Sequence, residues 1–369
     1  MKGIRILHIC QRDDASTGGA VRVGVDIVKN LIQKGWDAHC LFVYGSKGAF
    51  GDLLGENAHY LNLHSSKDVI KCGGKLRRFI KAFQPAIIHH HDGLLWTYLI
   101  SAGGAFTKRV THAHVAGGVR SFGFRTILAN YVQRISTDLL LCISEHTRQT
   151  WLKHGYDLQK TCVIPNGVDT NVFYPATNEM KKEAKQSFGI PEEAEVVGFV
   201  GRLHNIMKGT DDYLKVIAKL PGNYWGLVIG QGQDEDELKR LAVQLGIGHR
   251  VVFAGALQNS MMGYHAMDVF AFTSHFEHFG LVVIEAMACR LPVVSFACPG
   301  GISDILTHET GVVLPERNHE QMCSEIQQIA VRSLYWQQRI MKAEAIVNEW
   351  YNWEKITLKV VSYYEQLLK

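Results

Sequence analysis

Short apolar or β-branched runs alternate with amphipathic stretches along almost the whole chain, the pattern of parallel strands joined by covering helices. In the first half these runs predict strands at residues 4–9, 38–42, 86–89, 108–111, 139–143 and 161–164. In the second half they predict strands at 195–200, 225–229, 251–253, 269–272, 292–295 and 311–314. Each set suffices for one open sheet, so the predicted class is α/β with two Rossmann-like domains. Between the sets lies the turn cluster Pro165-Asn166-Gly167-Val168-Asp169, followed by Phe173-Tyr174-Pro175 and a charged stretch to Pro191 that reads as weakly structured. Domains are therefore placed at residues 1–168 and 190–349. Trp350-Tyr351-Asn352-Trp353-Glu354 opens a last amphipathic helix running to Lys369. No fixed-period repeat or low-complexity segment interrupts the pattern.

Length and composition agree with this picture. The 369 residues suit two domains, and 47% hydrophobic with 20% charged residues supplies two cores. No apolar stretch has bilayer-spanning length, and the start, Met1-Lys2-Gly3-Ile4-Arg5-Ile6, reads as a first strand rather than a secretory leader. A cytoplasmic protein is expected. Eight cysteines without a CxxC pair predict buried free thiols in a reducing compartment. The net charge of +4 is uneven: residues 1–170 carry 21 Lys/Arg against 12 Asp/Glu, and the remainder 18 against 23. The first half is thus expected to face something anionic, phosphate groups or a membrane surface.

The strongest chemical signal is Glu277-His278-Phe279-Gly280-Leu281-Val282-Val283-Ile284-Glu285, two carboxylates eight positions apart across a loop-to-helix junction. Free N–H groups at a helix start can hold an anionic diphosphate. Glu285, one turn further in, could accept two ribose hydroxyls, and Glu277 could hold hydroxyls of a sugar. Alone, the segment also fits an amphipathic helix with two solvated glutamates. Gly201-Arg202-Leu203 follows a strand and precedes Lys208-Gly209, a cation pair suited to a departing diphosphate. It is not a P-loop, because the order is Lys208-Gly209-Thr210.

Further pieces follow in order: Val228-Ile229-Gly230-Gln231-Gly232, Val252-Phe253-Ala254-Gly255, Ala266-Met267-Asp268-Val269-Phe270, Pro292-Val293-Val294 and Gly300-Gly301. With Thr17-Gly18-Gly19-Ala20, Ser144 and Val163-Ile164-Pro165-Asn166-Gly167-Val168-Asp169 in the first half, the series resembles retaining glycosyltransferase family four over nearly the whole chain. That resemblance implies the GT-B fold, two Rossmann-like domains with parallel sheets facing across a cleft. It implies that Arg202 and Lys208 hold the donor phosphates and that Glu285 binds the ribose. Glu277 would contact sugar and phosphates together with the backbone at Gly280 and Leu281, and Gly18-Gly19 would approach the diphosphate from the first domain. It also implies that the closing helix, 353–369, packs back on the first domain. His278 stands where the family commonly has Gly, which bears on the choice of donor sugar.

Thr111-His112-Ala113-His114 matches a family segment whose last histidine lines the cleft, so His114 is expected to orient the transferred sugar; the alternative is a core or surface histidine. His89-His90-His91-Asp92 looks like a metal site, but consecutive strand residues alternate sides, so it is read as the polar end of a buried strand and no metal is expected. Gly230-Gln231-Gly232 lacks the third glycine of a dinucleotide fingerprint, Glu235 standing there. Lys67, Lys71, Lys75, Arg77, Arg78 and Lys81 form a basic run opposed only by Asp68, and Gly73-Gly74 is expected to interrupt any helix there. That run fits either a solvated face or membrane-surface contact.

The expected activity is metal-independent transfer of a sugar from a nucleotide-diphosphate donor, UDP-linked rather than GDP-linked, to a glycan or lipid-linked acceptor. Retention of configuration follows from the resemblance, as does a place in surface polysaccharide or lipopolysaccharide synthesis at the inner face of the cytoplasmic membrane. No cofactor and no nucleic-acid partner are expected. A sugar-nucleotide epimerase or a non-catalytic nucleotide-sugar-binding protein are the alternatives.

Overall fold

The computed structural model describes residues 4–14, 19–64, 69–91, 95–101, 107–115, 124–257, 260–331 and 334–369. The chain divides into two compact units, the first made of Met1–Gly167 with Trp353–Lys369 and the second of Val168–Asn352. The first holds a parallel sheet of β1 (Arg5–Arg12), β2 (Asp37–Tyr44), β3 (Ala58–Leu63), β4 (Ile87–His91), β5 (Lys108–Ala113), β6 (Leu139–Cys142) and β7 (Thr161–Val163), in the order β3-β2-β1-β4-β5-β6-β7. The second holds β8 (Glu195–Val200), β9 (Tyr224–Ile229), β10 (Val251–Gly255), β11 (Val269–Phe272), β12 (Val293–Phe296) and β13 (Val312–Leu314), in the order β10-β9-β8-β11-β12-β13. These are the two Rossmann-like sheets expected from the hydrophobic pattern. In each, the order reverses beside the first strand, and side chains leaving the carboxyl ends of the strands converge there.

Helices cover both faces, which is why the central strands are apolar at nearly every position: β6, β11 and β12 are buried throughout. The helix Gly19–Gln33 buries Val21, Val25, Val28 and Leu31 against β1 and β2. The closing helix Trp353–Leu368 buries Trp353, Ile356, Val360 and Tyr364 in the same core. Gly167 lies against the Trp353 ring, 2.6 Å from where a Cβ would stand. No helix among the described residues is long and apolar enough to cross a membrane.

Three local expectations are corrected. Gly73-Gly74 does not interrupt the helix Val69–Phe83. Two helical glycines cost about 2 kcal/mol relative to alanine, and burial of Cys72 and Leu76 on one face offsets it. The charged stretch before Pro191 contains the helix Asn178–Ser187, capped by the Thr177 hydroxyl accepting from the Met180 N–H at 3.3 Å. Its Lys185 is buried, donates to the Ala194 carbonyl at 2.7 Å and pairs with Asp268 at 3.3 Å, so polar contacts help to anchor this helix. β3 is absent from the predicted strands; it is an edge strand whose sequence, Ala58-His59-Tyr60-Leu61-Asn62-Leu63, carries little apolar signal.

Candidate functional site

In the second unit the chain leaves β8 and continues the ladder past the strand end: the Gly201 N–H donates to the Ile229 carbonyl at 3.0 Å and the Leu203 N–H to the Gln231 carbonyl at 3.1 Å. This close pairing explains Gly230 and Gly232. A Cβ on Gly230 would lie 1.9 Å from the Gly201 oxygen, and one on Gly232 would lie 2.2 Å from the Leu203 oxygen. The two glycines let the loop bearing Arg202 settle on the neighbouring strand end, a packing role unrelated to dinucleotide binding. Asp234 then accepts from the Asn205 N–H at 2.6 Å and anchors the one-turn helix Asn205–Lys208. The triplet Asp234-Glu235-Asp236 has Asp-x-Asp form, but it opens the helix Glu235–Gln244, with Asp234 engaged in this anchoring. That helical turn ends at Gly209, which has φ +60°, and a Cβ there would meet the Thr273 oxygen at 2.2 Å.

Lys208 is thereby aimed past Gly201, and its ammonium contacts the Glu277 carboxylate. Arg202 is exposed on the same loop. Glu277 is itself held by its backbone: its N–H donates to the Pro299 carbonyl at 3.2 Å, and its own carbonyl accepts from the Gly301 N–H at 2.9 Å. Gly300, at φ +119°, permits this, since a Cβ would lie 1.8 Å from the Glu277 oxygen. Gly280 has φ +104° and precedes the helix Leu281–Ala288 with no side chain capping its N-terminus. The Val283 N–H donates to the Gly280 carbonyl at 2.9 Å, so the N–H groups of Leu281 and Val282 are the ones suited to a ligand's oxygens. Glu285 is buried inside this helix and accepts from the Tyr264 hydroxyl at 2.7 Å. The structure therefore gathers Lys208, Glu277 and the Gly300 loop into one cluster and sets Glu285 one turn along the same helix.

A second network, absent from the sequence-based reading, braces this cluster. Arg317 donates to Asp212 from Nε at 2.8 Å and lies 2.7 Å from it through its Nη2, and it also donates to the carbonyls of Thr273 and Ser274. His319 meets the other Asp212 oxygen at 2.9 Å. Burial alone would raise the Asp212 carboxyl, but hydrogen bonds from His319 and Arg317 outweigh it and hold it below the usual carboxylate value. These residues come from three distant segments, and nothing in their local sequence announces the meeting. A separate cavity of about 450 Å³, lined among others by His265, Asp268 and Trp336, includes none of the predicted donor residues.

In the first unit the sheet collects histidines. Register places His8 beside His89 and His91 beside His112, so His8, His89, His91, His112 and His114 share one face of β1, β4 and β5. All are buried. His8 Nδ1 lies 2.9 Å from His91 Nε2, and His91 Nδ1 lies 3.0 Å from His114 Nε2. His89 Nδ1 lies 2.5 Å from the Tyr364 hydroxyl. Rings stack at 4.4 Å for His89 with His91 and for His112 with His114. His90 points to the opposite face, stacked on Tyr98 at 4.3 Å, as strand alternation requires. Burial drives His8, His90 and His112 down to about 3, with neighbouring charge adding for His8 and His90, and drives His89, His91 and His114 well below the usual imidazole value. The cluster is neutral at physiological pH. Ring nitrogens of His8, His89 and His91, and of His91, His112 and His114, lie within 4.8 Å of one another, close enough to share a metal ion. The strand neighbours, rather than consecutive residues, create that possibility. Gly24 on the covering helix allows the approach, since a Cβ would stand 3.0 Å from the His91 ring.

His114 is thus a buried member of a network, and its Nδ1 has no hydrogen-bond partner among the described residues. Gly19 is exposed at the start of its helix, while Gly18 and Asp92 lie outside the described residues. All eight cysteines are free, six of them buried and Cys162 and Cys298 half-buried. Within the helix Val69–Phe83, Lys75, Arg77, Arg78 and Lys81 are exposed opposite the buried face of Cys72 and Leu76. Lys67, Asp68 and the Lys71 side chain lie outside the described residues.

Residues 17–172 match the family described as Glycosyltransferase Family 4, and residues 180–335 match Glycosyl transferases group 1. An uncharacterized glycosyltransferase of Haemophilus influenzae is 27% identical over 315 residues, 83% of this chain and 85% of its own length. D-inositol 3-phosphate glycosyltransferase of Mycobacterium tuberculosis is 34% identical over 204 residues, 51% of this chain, and the matched part spans only 41% of that protein. Crystal structures of similar shape include Anabaena HepE in complex with UDP and glucose, with TM-score 0.83, 22% identity and coverage of 98% and 99% of the two chains. Another is WaaG, a glycosyltransferase involved in lipopolysaccharide biosynthesis, with TM-score 0.72, 17% identity and coverage of 95% and 98%. At these identities the structural likeness is one of fold.

Proposed function

The chain belongs to glycosyltransferase family four, with a group 1 glycosyl transferase module as its second half and the GT-B fold, and from that premise we propose a retaining, metal-independent enzyme using a UDP-sugar. The observation that carries this reading is the ion pair of Lys208 with Glu277 beside the uncapped helix start at Gly280. A bound diphosphate exchanges for the glutamate as partner of Lys208, and Arg202 and the first-turn N–H groups take its remaining oxygens. Glu277, released from the lysine, is then free to accept hydroxyls of the transferred sugar, and Glu285 those of the ribose. Gly18, Gly19 and Leu281 complete the donor contacts in this proposal, and His114 is the residue the first unit contributes to orienting the sugar. UDP as carrier is supported by HepE, which binds UDP and glucose on the same fold.

In the step we propose, the bond from the anomeric carbon to the phosphate oxygen breaks while the acceptor oxygen bonds to the same face. The acceptor hydroxyl proton passes to the departing phosphate oxygen. Arg202, Lys208 and the helix terminus stabilise the negative charge that develops there, the task a divalent ion performs elsewhere. The second unit holds the donor and the first, carrying the basic helix face, takes a glycan or lipid-linked acceptor at the inner surface of the cytoplasmic membrane. Surface polysaccharide or lipopolysaccharide synthesis is the setting, a reading supported by the fold shared with WaaG.

A panel of nucleotide sugars, with and without lipid-linked acceptors and in excess EDTA, tests the proposal. Nucleotide release that requires acceptor, survives EDTA and yields a product of retained anomeric configuration by NMR is expected. Conversion of donor without acceptor, or activity that only added Mg²⁺ restores, would overturn it.

A further inference from the structure

Two buried nitrogens mark the ends of an unusual path. His114 Nδ1 and His89 Nε2 both lack partners among the described residues. Between them runs an unbroken series of contacts: His114 Nε2 to His91 Nδ1 at 3.0 Å, His91 Nε2 to His8 Nδ1 at 2.9 Å, His8 Nε2 to the Tyr364 hydroxyl at 3.3 Å, and that hydroxyl to His89 Nδ1 at 2.5 Å. Every ring in the interior of the series uses both its nitrogens on neighbours. A neutral imidazole has one donor nitrogen and one acceptor, so each ring fixes the role of the next.

Two arrangements satisfy every link and also give the Tyr364 hydroxyl proton an acceptor within the series. In one, His89 donates to the Tyr364 oxygen, Tyr364 to His8, His8 to His91 and His91 to His114, leaving an N–H at His114 Nδ1 and a lone pair at His89 Nε2. In the other, all donors and acceptors reverse, leaving a lone pair at His114 Nδ1 and an N–H at His89 Nε2. Flipping His8, His91 or His114 alone would set two lone pairs or two N–H groups face to face at hydrogen-bond distance. Complete burial prevents water from repairing such a fault.

We propose that His8, His91 and Tyr364 are positioning residues that form a tautomer-coupled wire, so that His114 is locked as donor or acceptor at Nδ1 by a series of groups of which it touches only His91. Any group that hydrogen-bonds to His114 Nδ1, a sugar hydroxyl in the proposed reaction, selects the direction that complements it, and the selection is relayed through His91, His8 and Tyr364 to His89. The inference rests on the proposed role of His114 only for its consequence in catalysis, because the wire itself is a property of the folded first unit. It gives the closing helix, through Tyr364, a purpose beyond packing.

The test is ¹⁵N NMR of the full-length protein labelled at histidine, in which each ring nitrogen reports whether it carries a proton. In the wild type, His114 is expected in a single tautomer, with a scalar coupling across the hydrogen bond to His91. Tyr364→Phe keeps the ring and removes the hydroxyl, and it should mix the two tautomers at His114 although that residue lies three links away. His91→Asn keeps a polar group near the Nδ1 position and should retain more of the kcat than His91→Ala, whose kcat should fall about tenfold at little-changed KM. Identical His114 nitrogen signals in wild type and Tyr364→Phe would overturn the wire. So would absence of the coupling in wild type, an observation that needs no variant. Stoichiometric Zn²⁺ binding that erases the coupling would also overturn it, since the metal would occupy the lone pairs the wire requires. A tautomer shift with unchanged transfer would uphold the wire and remove His114 from the reaction.

Discussion

Lowering the pH from 7.5 to 5 should unfold the first unit of this protein well before chemical damage or general acid denaturation sets in. His8, His90 and His112 titrate near 3 in the folded protein because burial, chiefly, opposes their charged form. In the unfolded chain an imidazole titrates near 6.5. The unfolded state therefore binds protons that the native state refuses, and stability that is fully present above 6.5 is lost as pH falls from there toward 3. Because pH 5 lies about 1.5 units below the unfolded value of each of the three, the loss is about 2 kcal/mol apiece and about 6 kcal/mol together. His89, His91 and His114 push the same way. Against a domain stability of about 5–15 kcal/mol, that loss is decisive. Urea titrations at a series of pH values, with hydrogen exchange read by mass spectrometry on peptides from β1, β4 and β5, measure the effect. The unfolding free energy should fall by at least about 4 kcal/mol per pH unit below 6, the share of these three alone. His112→Leu, which removes a ring whose nitrogens have no hydrogen-bond partner among the described residues, should lower that slope by one proton's worth. Stability that stays flat from pH 7.5 to 5, or an unchanged slope in His112→Leu, would refute the reasoning.

Lys208→Ala should cut turnover by about a hundredfold and also lower stability, because it strands the Glu277 carboxylate at 16% side-chain exposure. The pair Lys208→Ala with Glu277→Gln should regain part of the melting temperature and none of the turnover, a non-additivity that calorimetry beside a transfer assay reads directly. Gly230→Ala, at φ +137° with its new Cβ 1.9 Å from the Gly201 oxygen, should cost about 1–3 kcal/mol and weaken donor binding by shifting the Arg202 loop. Isothermal titration with UDP checks the second effect, and unaltered affinity would separate that loop from the donor site. Flotation with liposomes should show binding that needs anionic lipid and weakens with salt; replacing Lys75, Arg77, Arg78 and Lys81 by Gln should remove most of it at about 1 kcal/mol per cation. Wild-type protein that ignores anionic vesicles at low salt would make the exposed basic face a solvated surface only.

Periodicity along the chain determined most of the architecture. Residues 195–200 and 269–272 read as strands and are strands to the residue, because a buried parallel strand must be apolar on both faces wherever it sits. The glycine at 280 and the carboxylates flanking it announced a helix start with an open N-terminus for the same local reason. Where local rules lost, tertiary contacts outweighed them: the helix through Gly73-Gly74 survives on its buried face, and Asn178–Ser187 on Lys185. The chemistry that depends on neighbours was invisible in one dimension. Lys208 meets Glu277 across 69 residues, Arg317 meets Asp212 across 105, and Tyr364 meets His8 across 356. A histidine at position 8 carries no local mark of what will stand beside it. Its partners were chosen when β1 paired with β4 and the closing helix packed on that sheet, since strand order and register are decided by the burial of whole faces rather than by any single segment.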